Sequence, residues 1–234
     1  MSADQAVSVL RWWLEMGVDV AVQDEPRDWL RPAAPVPAGA ASGSTTSDPA
    51  VSRVAEPQTL FEFRQWLAEA PPPPFAAASS ARVLPHGAEG AAVMLLADLP
   101  GSDDMLDGRP IGGEARILAE RMLAAIGIKP DEAYVASLAC FHAPGARLGP
   151  EELADCAALA RRHVALARPQ RLLLLGDTPA RALLGKPLTQ ARGHAHKVEG
   201  VRTVATFAPR QLLRRPSDKA LAWKDLLLLM EDEA

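Results

Sequence analysis

An α/β domain built on a mostly parallel sheet is predicted by three observations. Four apolar runs, at 92–97, 133–139, 171–175 and 202–207, are continuous rather than alternating, which is the pattern of strands covered on both faces. Helix-length segments at 114–126, 150–167 and 179–184 lie between them, and another at 219–230 follows the last. Each run closes on turn or polar residues: Asp98-Leu99-Pro100-Gly101, Ser137, Leu175-Gly176-Asp177-Thr178, and Ala208-Pro209-Arg210-Gln211-Leu212-Leu213-Arg214. The carboxyl ends of parallel strands form the crevice where open α/β sheets take ligands, so these four segments are expected to converge on one site.

The elements before the first strand differ in kind. Residues 5–16 place Val9, Trp12, Trp13 and Met16 at helical spacing, giving a helical extension over 1–30. Residues 31–57 draw 20 of 27 positions from Pro, Ala, Ser, Gly and Thr, a mixture that cannot build a core and reads as a disordered linker. The folded domain is expected over 58–234. Its first helix, at 60–67, must end before Pro71-Pro72-Pro73-Pro74, since proline cannot continue it.

The chain has 234 residues, 48% hydrophobic, enough for one sizeable core plus a tail. Its net charge of −4 excludes a globally basic nucleic-acid binder, but the charge is unevenly spread. Residues 157–224 hold 14 of the 25 Lys and Arg and only three acids, Asp177, Glu199 and Asp218. That asymmetry suits a basic face toward phosphates, and equally an ordinary solvated surface. With no apolar leader and no run of membrane-spanning length, a cytoplasmic protein with no membrane association is expected. Cys140 and Cys156 are then two free thiols.

Several blocks together resemble the family 4 uracil-DNA glycosylases. They are Pro110 with Gly113, the run 121–127, Pro144-Gly145-Ala146-Arg147, the run 175–185, Arg192-Gly193, Leu212-Leu213-Arg214, and Lys219 with Trp223-Lys224-Asp225-Leu226. The N-terminal Leu10-Arg11-Trp12-Trp13-Leu14 stretch is similar to an extension of proteobacterial members. The resemblance implies a three-layer α/β/α sandwich around a central, mostly parallel four-stranded sheet.

It also implies roles for individual positions, and here the chain departs from the family. Asp98 stands where the family's first motif carries a glutamate that positions the attacking water, so Asp98 is the implied catalytic residue; capping the turn after the strand is its other reading. Pro100, Gly101, Ile111, Ser137 and Ala208 fall at base-pocket positions. Ile111 replaces the stacking aromatic, giving up part of about 1–3 kcal/mol, and otherwise reads as apolar packing. Ser137 replaces an asparagine that reads the base edge, and one rotating hydroxyl cannot match a planar amide. Ala208 replaces the histidine that stabilises the departing base, a loss worth about 10²–10³ in rate. Gly176, Thr178, Arg192, Pro209, Leu212, Leu213, Arg214 and Lys219 fall at DNA-contacting positions, with 212–214 as the wedge that fills the duplex when a base leaves the stack.

The family's iron–sulfur cluster is held by four cysteines. This chain has Pro71–Pro74 and Phe75 where two would lie, Cys156 at the last position, and Phe141 rather than Cys140 at the third. No cluster, no other metal and no cofactor are therefore expected. His142, His194 and His196 are taken as exposed loop histidines. Three functions stay open: a divergent glycosylase hydrolysing the N-glycosidic bond of a uracil-type base weakly or not at all, a DNA-binding or damage-sensing module without chemistry, and a protein that docks a partner through the Trp12/Trp13 helix.

Overall fold

The computed structural model describes residues 57–76, 80–143 and 147–231. The predicted N-terminal helix and all of the 31–57 linker but its last residue lie outside them, as does any docking role of Trp12 and Trp13. The described chain begins with helix α1 (Leu60–Glu69), whose start is fixed by a capping box: the Glu62 amide donates to the Thr59 hydroxyl, and the Glu62 carboxylate accepts from the Thr59 amide.

Strand β1 (Val93–Ala97) is followed by α2 (Ser102–Asp107) and α3 (Gly113–Ala125), then β2 (Ala133–Ser137) and α4 (Pro150–Ala167). Strand β3 (Arg171–Leu175) leads into α5 (Asp177–Leu184) and the single turn α6 (Leu188–Ala191). The hairpin β4 (Ala195–Val198) and β5 (Val201–Thr206) precedes α7 (Pro209–Arg214) and α8 (Lys219–Met230). The sheet runs β2-β1-β3-β5-β4, with β4 antiparallel and the other strands parallel.

The expected sheet of four strands is corrected to five. The missed strand β4 has the sequence Ala-His-Lys-Val, and only Val198 in it is buried, so it carries no apolar signal. It forms because Glu199 and Gly200 both adopt positive φ (49° and 79°), the geometry of a tight hairpin turn that pairs Val198 with Val201.

Three layers follow from the two-sided strands. Met94, Leu96, Tyr134, Ala136, Leu172 and Leu174 pack against α4 and α5 through Ala160, Val164, Ala180 and Leu183. Their neighbours Val93, Leu95, Ala133, Leu173, Leu175 and Val204 pack against α3 and α8 through Ala119, Leu123, Leu226 and Leu229. Burying each such leucine contributes about 1.5–3 kcal/mol, and this double coverage is what required unbroken apolar strands.

Candidate active site

The strand-end segments meet at one end of the sheet, joined by hydrogen bonds. Asp98 follows β1 on the face of Met94 and Leu96. Its Oδ1 accepts from the Leu99 amide (2.8 Å) and its Oδ2 from the Thr178 hydroxyl of α5 (2.9 Å). The Gly176 amide donates to the Thr206 carbonyl (2.9 Å), which ties the end of β3 to β5 and sets Gly176 beside Ala208. His142, beyond β2, reaches back to the first segment: its Nδ1 lies 2.6 Å from the Pro100 carbonyl. A carbonyl only accepts, so Nδ1 carries the proton.

A second knot lies beneath. Asp104 is 2% exposed, and its carboxylate accepts from the Gly101 amide (2.8 Å) and the Gly112 amide while forming an ion pair with Arg210. One buried acid thus fastens the 98–101 turn, the 110–113 loop and α7. The loop it holds is strained: Ile111 has φ 60°, a left-handed conformation that costs a β-branched residue about 1–3 kcal/mol. The next residue must be glycine, because a Cβ at Gly112 would sit 2.3 Å from the Asp103 carbonyl oxygen.

Together these segments leave a cleft of about 420 Å³ lined by Asp98, Leu99, Pro100, Gly101, His142, Arg147, Thr178 and Arg181. Its polar groups converge: a carboxylate with both oxygens already oriented, an imidazole anchored through one nitrogen, and two guanidinium groups. Arg147 is exposed and has no ion-pair partner among the described residues, whereas Arg181 is paired with Asp177.

Of the residues singled out in the sequence, Asp98, Pro100, Gly101 and Thr178 line this cleft. Ile111 is buried against Leu95 and Leu123 on the α3 side of the sheet. Ser137 pairs in register with Ala97, but its Oγ is buried without a hydrogen-bond partner, beside a closed space far smaller than a base. Ala208 and Pro209 start α7 as N-cap and first residue. Leu212 is 1% exposed and belongs to the core, while Leu213 and Arg214 reach the surface beside Arg215 and Lys219. Arg192 is spent internally: it bonds the buried Asp225 (2.8 Å) and lies 4.1 Å over the Phe207 ring.

His142 is not the exposed loop histidine expected of it, being half-buried in the cleft. His196 instead points a ring nitrogen at the Ala191 carbonyl (2.9 Å). Asp104, Arg210 and His142 are the site-forming residues that sequence reasoning passed over. Asp104 sits three residues after Gly101, at the spacing of a helix-capping acid, which was the available signal.

Pro71, Phe75, Phe141 and Cys156, which the resemblance sets against cluster-ligand positions, line a mainly apolar pocket of about 760 Å³ together with Trp66 and Cys140. Burial pushes the Cys140 thiol up and the Cys156 thiol to about 11, so both are protonated. The described residues contain no group of three or more His, Cys, Asp or Glu placed to hold a metal ion. Two neutral thiols, with the carboxylates of Glu151, Glu152 and Asp155 in the same lining, do not fit a cluster that requires four thiolates.

A family model for the uracil DNA glycosylase superfamily matches residues 84–227, which takes in every strand and the whole cleft. The chain is also similar to three relatives named type-4 uracil-DNA glycosylase. That of Archaeoglobus fulgidus is 28% identical over 141 residues, covering 56% of this chain and 71% of the relative. Those of Pyrobaculum aerophilum and Thermotoga maritima are 24% and 25% identical over 147 and 142 residues, each covering 58% of this chain and 75% and 74% of the relative. With a five-stranded sheet in three layers, its strand-end segments knotted around one cleft, and a family model that spans more than half of its length, the chain belongs to the uracil-DNA glycosylase superfamily.

Proposed function

We propose that this domain binds DNA, accepts an unstacked base in the Asp98 cleft and hydrolyses its N-glycosidic bond slowly. The observation that carries this reading is the Asp98 carboxylate, held at the cleft by the Leu99 amide and the Thr178 hydroxyl, with lone pairs left for a water. In the reaction, the water oxygen bonds to C1′ of the deoxyribose and the bond from C1′ to the base nitrogen breaks. The electron pair leaves with the base. The water's proton passes toward Asp98 and solvent, and the base is protonated on release, leaving an abasic site.

The rate is low because Ala208 offers no donor to the departing base, a loss of about 10²–10³-fold. DNA is held by the exposed Leu213 and Arg214 at the end of α7 and by Arg215 and Lys219 just after it. Incubation with strands containing uracil, hypoxanthine or xanthine should produce abasic sites slowly on at least one of them. No excision from any would sink the enzymatic reading.

A second reading, a DNA-binding module without chemistry, is favoured by the burial of Ile111 and of the Ser137 hydroxyl away from the cleft. It requires salt-dependent DNA binding with no abasic product, and the same pair of assays separates the two.

A further inference from the structure

We infer that His142 reads the base in the Asp98 cleft, accepting the ring N–H that deaminated bases carry and thereby doing the work that Ser137 cannot. This rests on the reading of that cleft as the base pocket. The Pro100 carbonyl fixes a proton on Nδ1 (2.6 Å), which makes Nε2 the lone-pair acceptor of the neutral imidazole, with no protein partner among the described residues.

The other polar groups of the cleft take different roles. The Thr178 hydroxyl gives its proton to Asp98, and both Asp98 oxygens accept from the protein and orient the water. Arg147 and Arg181 can only donate, which suits base carbonyls or phosphates. An acceptor at His142 and a donor at Arg147 in the same cleft supply the two kinds of contact that a planar amide makes to an N–H/C=O edge. Uracil carries N–H at N3 where cytosine carries a lone pair, and hypoxanthine carries N–H at N1 where adenine carries a lone pair. An imidazole locked as acceptor therefore favours the deaminated base of each pair and places a lone pair against a lone pair for its parent. Good base contacts of this kind discriminate by about 1–3 kcal/mol.

The test is binding rather than turnover. Single-stranded oligonucleotides carrying one 2′-fluoroarabino-uridine or one 2′-fluoroarabino-cytidine resist hydrolysis, and their affinities are compared by fluorescence anisotropy. Wild type should prefer the uridine strand about tenfold. His142→Ala should bring the two strands to within about twofold by weakening the uridine strand alone, while His142→Gln, whose amide oxygen still accepts, should keep most of the preference. Circular dichroism checks that each variant is folded, and His142→Phe stands in if the alanine variant is not. No preference in wild type, or a preference that survives His142→Ala or His142→Phe, would overturn the assignment. Excision of deoxyuridine is assayed in parallel: preference without excision removes the hydrolytic reading alone, and excision without preference removes the His142 assignment alone.

Discussion

Two concavities of this domain contrast in what walls them and in what holds them together. The larger, about 760 Å³, is walled mainly by Trp66, prolines, Phe75 and Phe141 with Glu151, Glu152 and Asp155 along one helix, and its two sulfurs are neutral thiols raised first by burial. The smaller, about 420 Å³, lies at the carboxyl ends of the strands and collects a carboxylate, a hydroxyl, an imidazole and two guanidinium groups. The first is held by apolar packing, the second by hydrogen bonds from four segments of the chain. Size therefore does not mark the site. What marks it is where parallel strands end, because loops leaving several strands can aim polar groups at one point there.

That contrast can be broken or sharpened by experiment, and the largest effect is expected at the knot beneath the cleft. Asp104→Ala leaves Arg210 without its counter-ion and the Gly101 and Gly112 amides without an acceptor, and should cost about 3 kcal/mol in a urea titration. A shift below about 1 kcal/mol would mean that the cleft is not held by this acid. Next, Asp98→Asn should lower excision about 10²-fold, about 2.7 kcal/mol of barrier, with DNA affinity retained. Near-normal excision would move the chemistry out of the cleft.

The third prediction concerns pH. His163 is buried, its Nε2 hydrogen-bonds the Tyr134 hydroxyl (2.7 Å), and burial followed by the Arg64 charge lowers it from 6.5 to about 3. The unfolded chain therefore takes up the proton first, so the neutral ring's contribution is complete above pH 6.5 and is lost as the pH falls toward 3. Stability should drop by about 1.4 kcal/mol per pH unit in that window. His163→Gln should flatten the slope of the thermal midpoint against pH, and an unchanged slope would assign the acid sensitivity to other groups. The smallest effect is expected in the apolar pocket. Cys140→Ala with Cys156→Ala should cost about 1 kcal/mol per sulfur removed and leave both excision and iron content as in wild type. Loss of folding together with loss of iron would restore a metal to that pocket.

The layered core was legible because its strands are unbroken: in β3 every position after Arg171 is a leucine, and only a sheet covered on both faces buries all four. Strand β4 was not legible, since an exposed edge strand pairs through its backbone and its turn uses Glu199-Gly200 rather than an asparagine-glycine signal. Asp98 and Thr178 could be read as neighbours of strand ends, but their hydrogen bond spans 80 positions. His142 was misjudged for the same reason. Its partner, the Pro100 carbonyl, lies 42 residues away and is a backbone atom that no side-chain pattern reports.

By itself the sequence determined the fold class and the points where strands end, because these depend on side-chain type and local order. Only the tertiary structure decided which surviving groups share a cleft. It turned Ile111 and the Ser137 hydroxyl inward and brought His142 and Arg147 up to Asp98. Long-range hydrogen bonds to backbone atoms, satisfied in only one arrangement of the packed layers, set that geometry.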